Sequence, residues 1–146
     1  MASVAGGPAL FRLVRYWSRR WARGVLVDVE EQPSLPQHVL ALEAVNACTG
    51  ADGATVGEVA RQLGLDHSGA SRMVAAVEAA GLVERSRSSS DGRRSTVRIT
   101  GTGLQLLETS RRWQQTMFDE LTGSWSDRDR RQFARYLDRL AAEVGA

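Results

Sequence analysis

A chain of 146 residues, 42% hydrophobic and 25% charged, suits one small domain with appended helices and has the composition of an ordinary globular protein. A single cysteine, Cys48, excludes an internal disulfide. No apolar run approaches the ~18 residues that span a bilayer, and Met1 to Leu10 lacks a charged-then-apolar secretory pattern, so the expected compartment is the cytoplasm.

The net charge of +2 is unevenly spread. Residues 12–23 hold five arginines and no acid, residues 24–84 hold two arginines and nine acids, and residues 85–98 hold five arginines and one acid. Each basic block reads either as a phosphate footprint or as a solvated face.

Leu10, Leu13, Val14, Trp17, Trp21 and Val25 recur at helical spacing and predict a first helix, with Arg12, Arg15, Arg19 and Arg23 on another face. Glu30 to Pro36, with two prolines, is a break. Val39, Leu40, Leu42, Val45 and Ala47 predict a second helix, followed by a loop from Asn46 to Ala54. Thr55-Val56-Gly57-Glu58 has the capping-box spacing, so a third helix should start there with Val59, Ala60 and Leu63 inward. Gly64 closes it after about two turns. Asp66 or His67 then caps a fourth helix, which turns Ala70, Met73, Val74 and Val77 inward and ends at Gly81.

The period then changes. Leu82 to Arg85 is extended, Ser86 to Ser95 is polar with Asp91-Gly92 as a turn signal, and Thr96 to Thr100 alternates, so a β-hairpin is predicted. Leu104, Leu107, Trp113, Met117, Phe118 and Leu121 trace a long helix ended by Gly123. Ser126, with Asp129 three residues on, caps a last helix whose stripe is Phe133, Tyr136, Leu137, Leu140 and Val144. The fold class is mainly α with a small β-hairpin (α+β).

Residues 55–100 carry the functional signal. A short capped helix, a glycine turn and a second helix make a helix-turn-helix, and the hairpin adds a wing. The second of these helices must offer a polar outer face to a major groove about 12 Å wide. His67, Ser68, Ser71 and Arg72 are its outward residues near the N-terminus. Gly69 costs a helix about 1 kcal/mol relative to alanine; it reads either as a close approach of backbone to DNA or as drift at an exposed site. Arg93 and Arg94 follow the hairpin turn, where an arginine can enter a narrow minor groove. Asp91 either orients Arg93 or forms an exposed pair worth about 0–1 kcal/mol.

Residues 56–103 resemble the DNA-binding core of the MarR family of bacterial regulators. The matching stretches are Val59 to Leu65, Ser71 to Val74, Glu78 to Arg85, the wing residues Asp91-Gly92-Arg93, the strand Val97-Arg98-Ile99-Thr100, and Gly103. The resemblance implies a winged helix-turn-helix with N- and C-terminal dimerisation helices. The corresponding parts are residues 1–30, the DNA-binding domain 31–100 with its wing at 82–100, and 101–146. It further implies a homodimer on double-stranded DNA, regulating transcription as a repressor released by a small aromatic or anionic effector. Trp17, Trp21, His38 and Leu42 would line the effector site. His38 could meet an anion or satisfy a backbone carbonyl.

Three alternatives remain open on sequence: a redox regulator using Cys48, a protein-interaction module, and a DNA-packaging module. Metal and cofactor are not expected. The histidines, His38 and His67, are far apart, and every cationic side chain is arginine, so a Walker lysine is absent. No nucleophile-elbow or His-Glu-x-x-His pattern suggests an enzyme.

Overall fold

Pro8 lies in the first turn of helix α1 (Gly7–Trp17), where its missing N–H interrupts no intrahelical bond. The helix therefore starts ahead of the apolar stripe that predicts it. The computed structural model describes residues 4–18, 20, 35–50, 52–87 and 95–146. The chain divides into two units, Met1–Pro36 and Gln37–Ala146. Within the first, α1 has no buried side chain, and the Arg20 guanidinium lies 4.3 Å from the centre of the Tyr16 ring.

Helix α2 (Leu35–Cys48) takes in Leu35 and Pro36, the last two residues of the predicted break. It also runs beyond Asn46, which the sequence places in a loop. Asn46 is exposed and is carried at little cost, and the Thr49 hydroxyl donates to the Val45 carbonyl at 2.6 Å, covering an acceptor that the helix end would leave open.

Next come β1 (Ala54–Thr55), α3 (Val56–Leu63), α4 (His67–Ala79), β2 (Val83–Arg87) and β3 (Ser95–Ile99). The sheet has order β1-β3-β2, antiparallel throughout, with Val83 opposite Ile99, Arg85 opposite Val97 and Ala54 opposite Val97 on the other side. The predicted hairpin is thus the larger part of a three-stranded sheet. β2 extends two residues past Arg85, and β1 falls where a loop is expected. Gly53 makes β1 possible: its φ is +93°, and a Cβ there would stand 2.8 Å from the Val97 carbonyl oxygen.

The core is built from small and branched aliphatic side chains. Ala41, Leu42, Ala44 and Val45 of α2 pack with Val56, Val59 and Ala60 of α3, with Ala70, Val74 and Val77 of α4, and with Leu82, Val83, Val97 and Leu107. Each large member contributes about 1.5–3 kcal/mol by leaving water.

Helix α5 (Gly101–Leu121) and helix α6 (Asp127–Glu143) complete the chain. α5 ends through Thr122, whose hydroxyl donates to Phe118 O at 2.6 Å. Ser126 caps α6 as its spacing predicts, accepting from the Asp129 amide at 3.1 Å. Phe133 stacks on Phe118 and meets Trp125, and Arg130 pairs with Asp119. Leu121, Trp125, Tyr136, Leu137, Leu140 and Val144 stay exposed.

Candidate nucleic-acid interface

Two short helices at a fixed angle need both facing ends closed. The Thr55 hydroxyl accepts from the Glu58 amide at 3.2 Å, and the Glu58 carboxylate accepts from the Thr55 amide at 2.8 Å, completing the capping box at the start of α3. At its other end Gly64 takes a left-handed conformation, φ +65°. The Gly64 amide donates to Arg61 O and the Leu65 amide to Ala60 O, which satisfies the last carbonyls and turns the chain.

Asp66 caps α4, its carboxylate accepting from the Gly69 amide at 2.7 Å. A Cβ at position 69 would stand 2.9 Å from that same oxygen. An added methyl at Gly69 would therefore press on the capping carboxylate, which as the end of a side chain can shift.

Ala70, Val74 and Val77 bury one face of α4. His67, Ser68 and Arg72 are exposed and Ser71 is half-buried, all within the first two turns. These four share one stripe, since neighbours three and four apart lie on the same face. Arg93 and Arg94, with the rest of 88–94, lie outside the described residues, as does Trp21.

The other end of α4 is tied to α5. The Thr100 hydroxyl donates to Gly81 O at 2.7 Å and accepts from the Gly103 amide at 3.2 Å, while the Thr100 amide donates to Leu82 O. Gly103 packs so closely that a Cβ would stand 2.2 Å from Leu82 O. Thr100 is the contributor that sequence spacing does not reveal; only the strand-to-helix change beside it hints at a cap.

The residues expected around an effector belong to both units. Trp17 is in the first unit, on α1. His38 and Leu42 lie one turn apart on α2. Leu42 is fully buried in the core, and His38 is buried at 7% exposure. Burial pushes the His38 imidazole below its ordinary value. Further along α2, Glu43 accepts two hydrogen bonds from Arg111 of α5, at 2.7 and 3.2 Å, and these hold the guanidinium above its usual range. Cys48 is half-buried, with its thiol 3.7 Å from Glu58 O; desolvation, then the Glu58 charge, push its pKa up against a smaller opposing effect of Arg61. Among the described residues no group of three His, Cys, Asp or Glu side chains could hold a metal. Nor is any described helix long and apolar enough to cross a membrane.

The model of the MarR family matches residues 35–94. An uncharacterized HTH-type transcriptional regulator of Bacillus subtilis (strain 168), YxaD, is 36% identical over 87 residues, 60% of this chain and 61% of that protein's length. A MarR family protein from Bacillus stearothermophilus is similar over 100% of both chains, with 26% identity and a TM-score of 0.71. MepR of S. aureus, solved in a complex with DNA, is similar over 94% of this chain and 98% of its own, with 20% identity and a TM-score of 0.63. MepR has also been solved bound to ethidium bromide, a structure covering 94% of this chain and 95% of its own at 20% identity and a TM-score of 0.61.

Proposed function

We propose that the chain is a MarR family transcriptional regulator that binds double-stranded DNA sequence-specifically, as a cytoplasmic homodimer without enzymatic activity. The observation that carries this reading is the stripe His67, Ser68, Ser71, Arg72. It sits on a helix capped at its start, locked at its end and backed by the core, with its polar residues turned outward. Such a helix can enter a major groove without rearranging, and short polar side chains with one arginine suit base edges. The basic block that includes Arg93 and Arg94 supplies the charge for the flanking backbone or minor groove. MepR, which shares this fold, has been solved with DNA.

Homodimerisation is supported by the apolar residues that α6 and the turn before it leave in water, Trp125, Tyr136, Leu137 and Leu140 among them. Paired half-sites roughly one helical turn apart would follow. Repression relieved by a small aromatic or anionic effector is the mode we favour, since a ligand that binds the two conformations unequally shifts their populations. MepR has been solved with ethidium bromide, an aromatic cation. Trp17, Trp21, His38 and Leu42 remain the residues proposed to contribute, with Leu42 requiring the core to open.

The redox alternative finds little support, because a sensor cysteine needs a lowered pKa and the surroundings of Cys48 raise it.

The test is a gel shift with the duplex upstream of the protein's own coding region against random DNA of equal length at matched salt. Preferential binding, with footprints one turn apart, is the expected result. Uniform weak binding would move the assignment to DNA packaging, and no binding to a protein-contact module.

A further inference from the structure

Arg85 leaves β2 on the same side of the sheet as Val83, two residues before it, and stands opposite Val97; both valines are buried. Its exposed guanidinium reaches α4. The Nε–H donates to the Glu78 carboxylate of α4 at 2.5 Å, with the two side chains 32% and 43% exposed. Glu78 lies seven residues, two turns, beyond Ser71, so it falls on the stripe of α4 that carries the reading residues, about 10 Å further along. A bare carboxylate on that stripe would repel phosphate.

We propose that Glu78 and Arg85 form a positioning pair: Arg85 neutralises the one acid on the reading stripe and tethers the wing strand to the reading helix, rather than serving as a phosphate contact of the basic block. This rests on the DNA-binding reading above. Arg85 is then not part of the electrostatic footprint although it opens the block of five arginines in residues 85–98. Its role is to fix the distance between helix and wing, and thereby the register in which both meet a duplex. Register bears on discrimination between sequences, whereas phosphate contacts set overall affinity and its salt dependence.

Three variants, Glu78→Gln, Arg85→Ala and the double variant, distinguish the two roles, with Arg85→Lys as the conservative control. For the duplex upstream of the coding region, each single variant should weaken binding about 3- to 5-fold, within the range of an exposed pair. The double variant should be no weaker than the weaker single one. Arg85→Lys should recover part of the loss. Affinity for random duplex and the slope of affinity against salt should stay unchanged in Glu78→Gln.

If Arg85 instead touches phosphate, Arg85→Ala lowers the salt slope by about one, Glu78→Gln binds equally or more tightly, and their effects add. That result overturns the proposal. Amide hydrogen exchange on the free protein supplies an arm independent of DNA. The tether requires faster exchange in β2 of Glu78→Gln and Arg85→Ala, with α5 protection unaltered; unchanged β2 exchange overturns it. Should the wild-type protein bind no duplex, the DNA-binding reading falls, and the exchange arm still decides whether the pair anchors the wing.

Discussion

The Asp66 carboxylate and the Gly69 amide meet at 2.7 Å, and the absence of a side chain on Gly69 keeps that approach open. Helix propensity alone makes Gly69→Ala stabilising by about 1 kcal/mol. The contact works against that gain: an added Cβ must shift the capping oxygen, so Gly69→Ala should gain less than that. Asp66→Ala should lose about 1 kcal/mol, lowering the melting temperature by about 2–4 °C. Thermal unfolding of both variants checks the pair. The full gain in Gly69→Ala would show that the cap tolerates the methyl.

Gly103 stands under a harder constraint. Its Cβ would meet backbone, Leu82 O, which cannot swing aside as a side chain end can. Gly103→Ala should destabilise by at least about 2 kcal/mol, the scale of overpacking in a closed contact. Thr100→Val should lose the two bonds of the hydroxyl and cost about 1 kcal/mol. Urea denaturation at constant slope measures both.

Acidification should weaken the fold through His38. Its folded pKa lies below the unfolded value of about 6.5, so within that interval the unfolded chain binds more protons. Stability is then full above the unfolded pKa and falls as pH drops toward the folded one. His38→Gln should flatten the part of the decline that this residue causes. Melting curves at pH 7.5 and 5.5, with and without the substitution, give the comparison.

Arg93→Ala and Arg72→Ala should separate holding from reading. The first should weaken binding to every duplex and reduce the salt slope by about one. The second should change sequence preference, by about 1–3 kcal/mol where a bidentate contact to a base is lost. Equal effects on specific and random duplexes for Arg72→Ala would place that residue on the backbone.

Cys48 should react slowly with thiol reagents, since its surroundings disfavour the thiolate. Cys48→Ser should leave release from DNA under peroxide as it is in the parent protein. Loss of a peroxide response in that variant would restore the redox alternative.

Local rules were legible where a residue acts within one turn. Thr55 and Glu58, Gly64, and Ser126 and Asp129 all do what their spacing says. The second strand of the hairpin was legible by alternation, the first as a short extended run. What was not legible involves partners distant in sequence. β1 is two residues long and exists because β3 lies beside it, so Ala54 and Thr55 carry no periodicity of their own. Glu43 and Arg111 are 68 positions apart, and no spacing rule joins them. Gly69 was legible as an anomaly, but the neighbour an added methyl would meet, the Asp66 carboxylate, shows only in the structure. For the reading face, three of the four proposed residues are exposed and one is half-buried; Arg93 and Arg94 lie outside the described residues.

The hydrophobic cluster that supports the reading helix contains no aromatic ring. All four tryptophans, at 17, 21, 113 and 125, belong to segments before or after residues 35–100. Native fluorescence therefore reports on the segments flanking the groove-binding module, whose own residues include no tryptophan. A change in emission on adding a duplex would mean that a disturbance at Ser71 had travelled beyond the module, so the unlabelled protein already carries its own optical gauge of long-range communication.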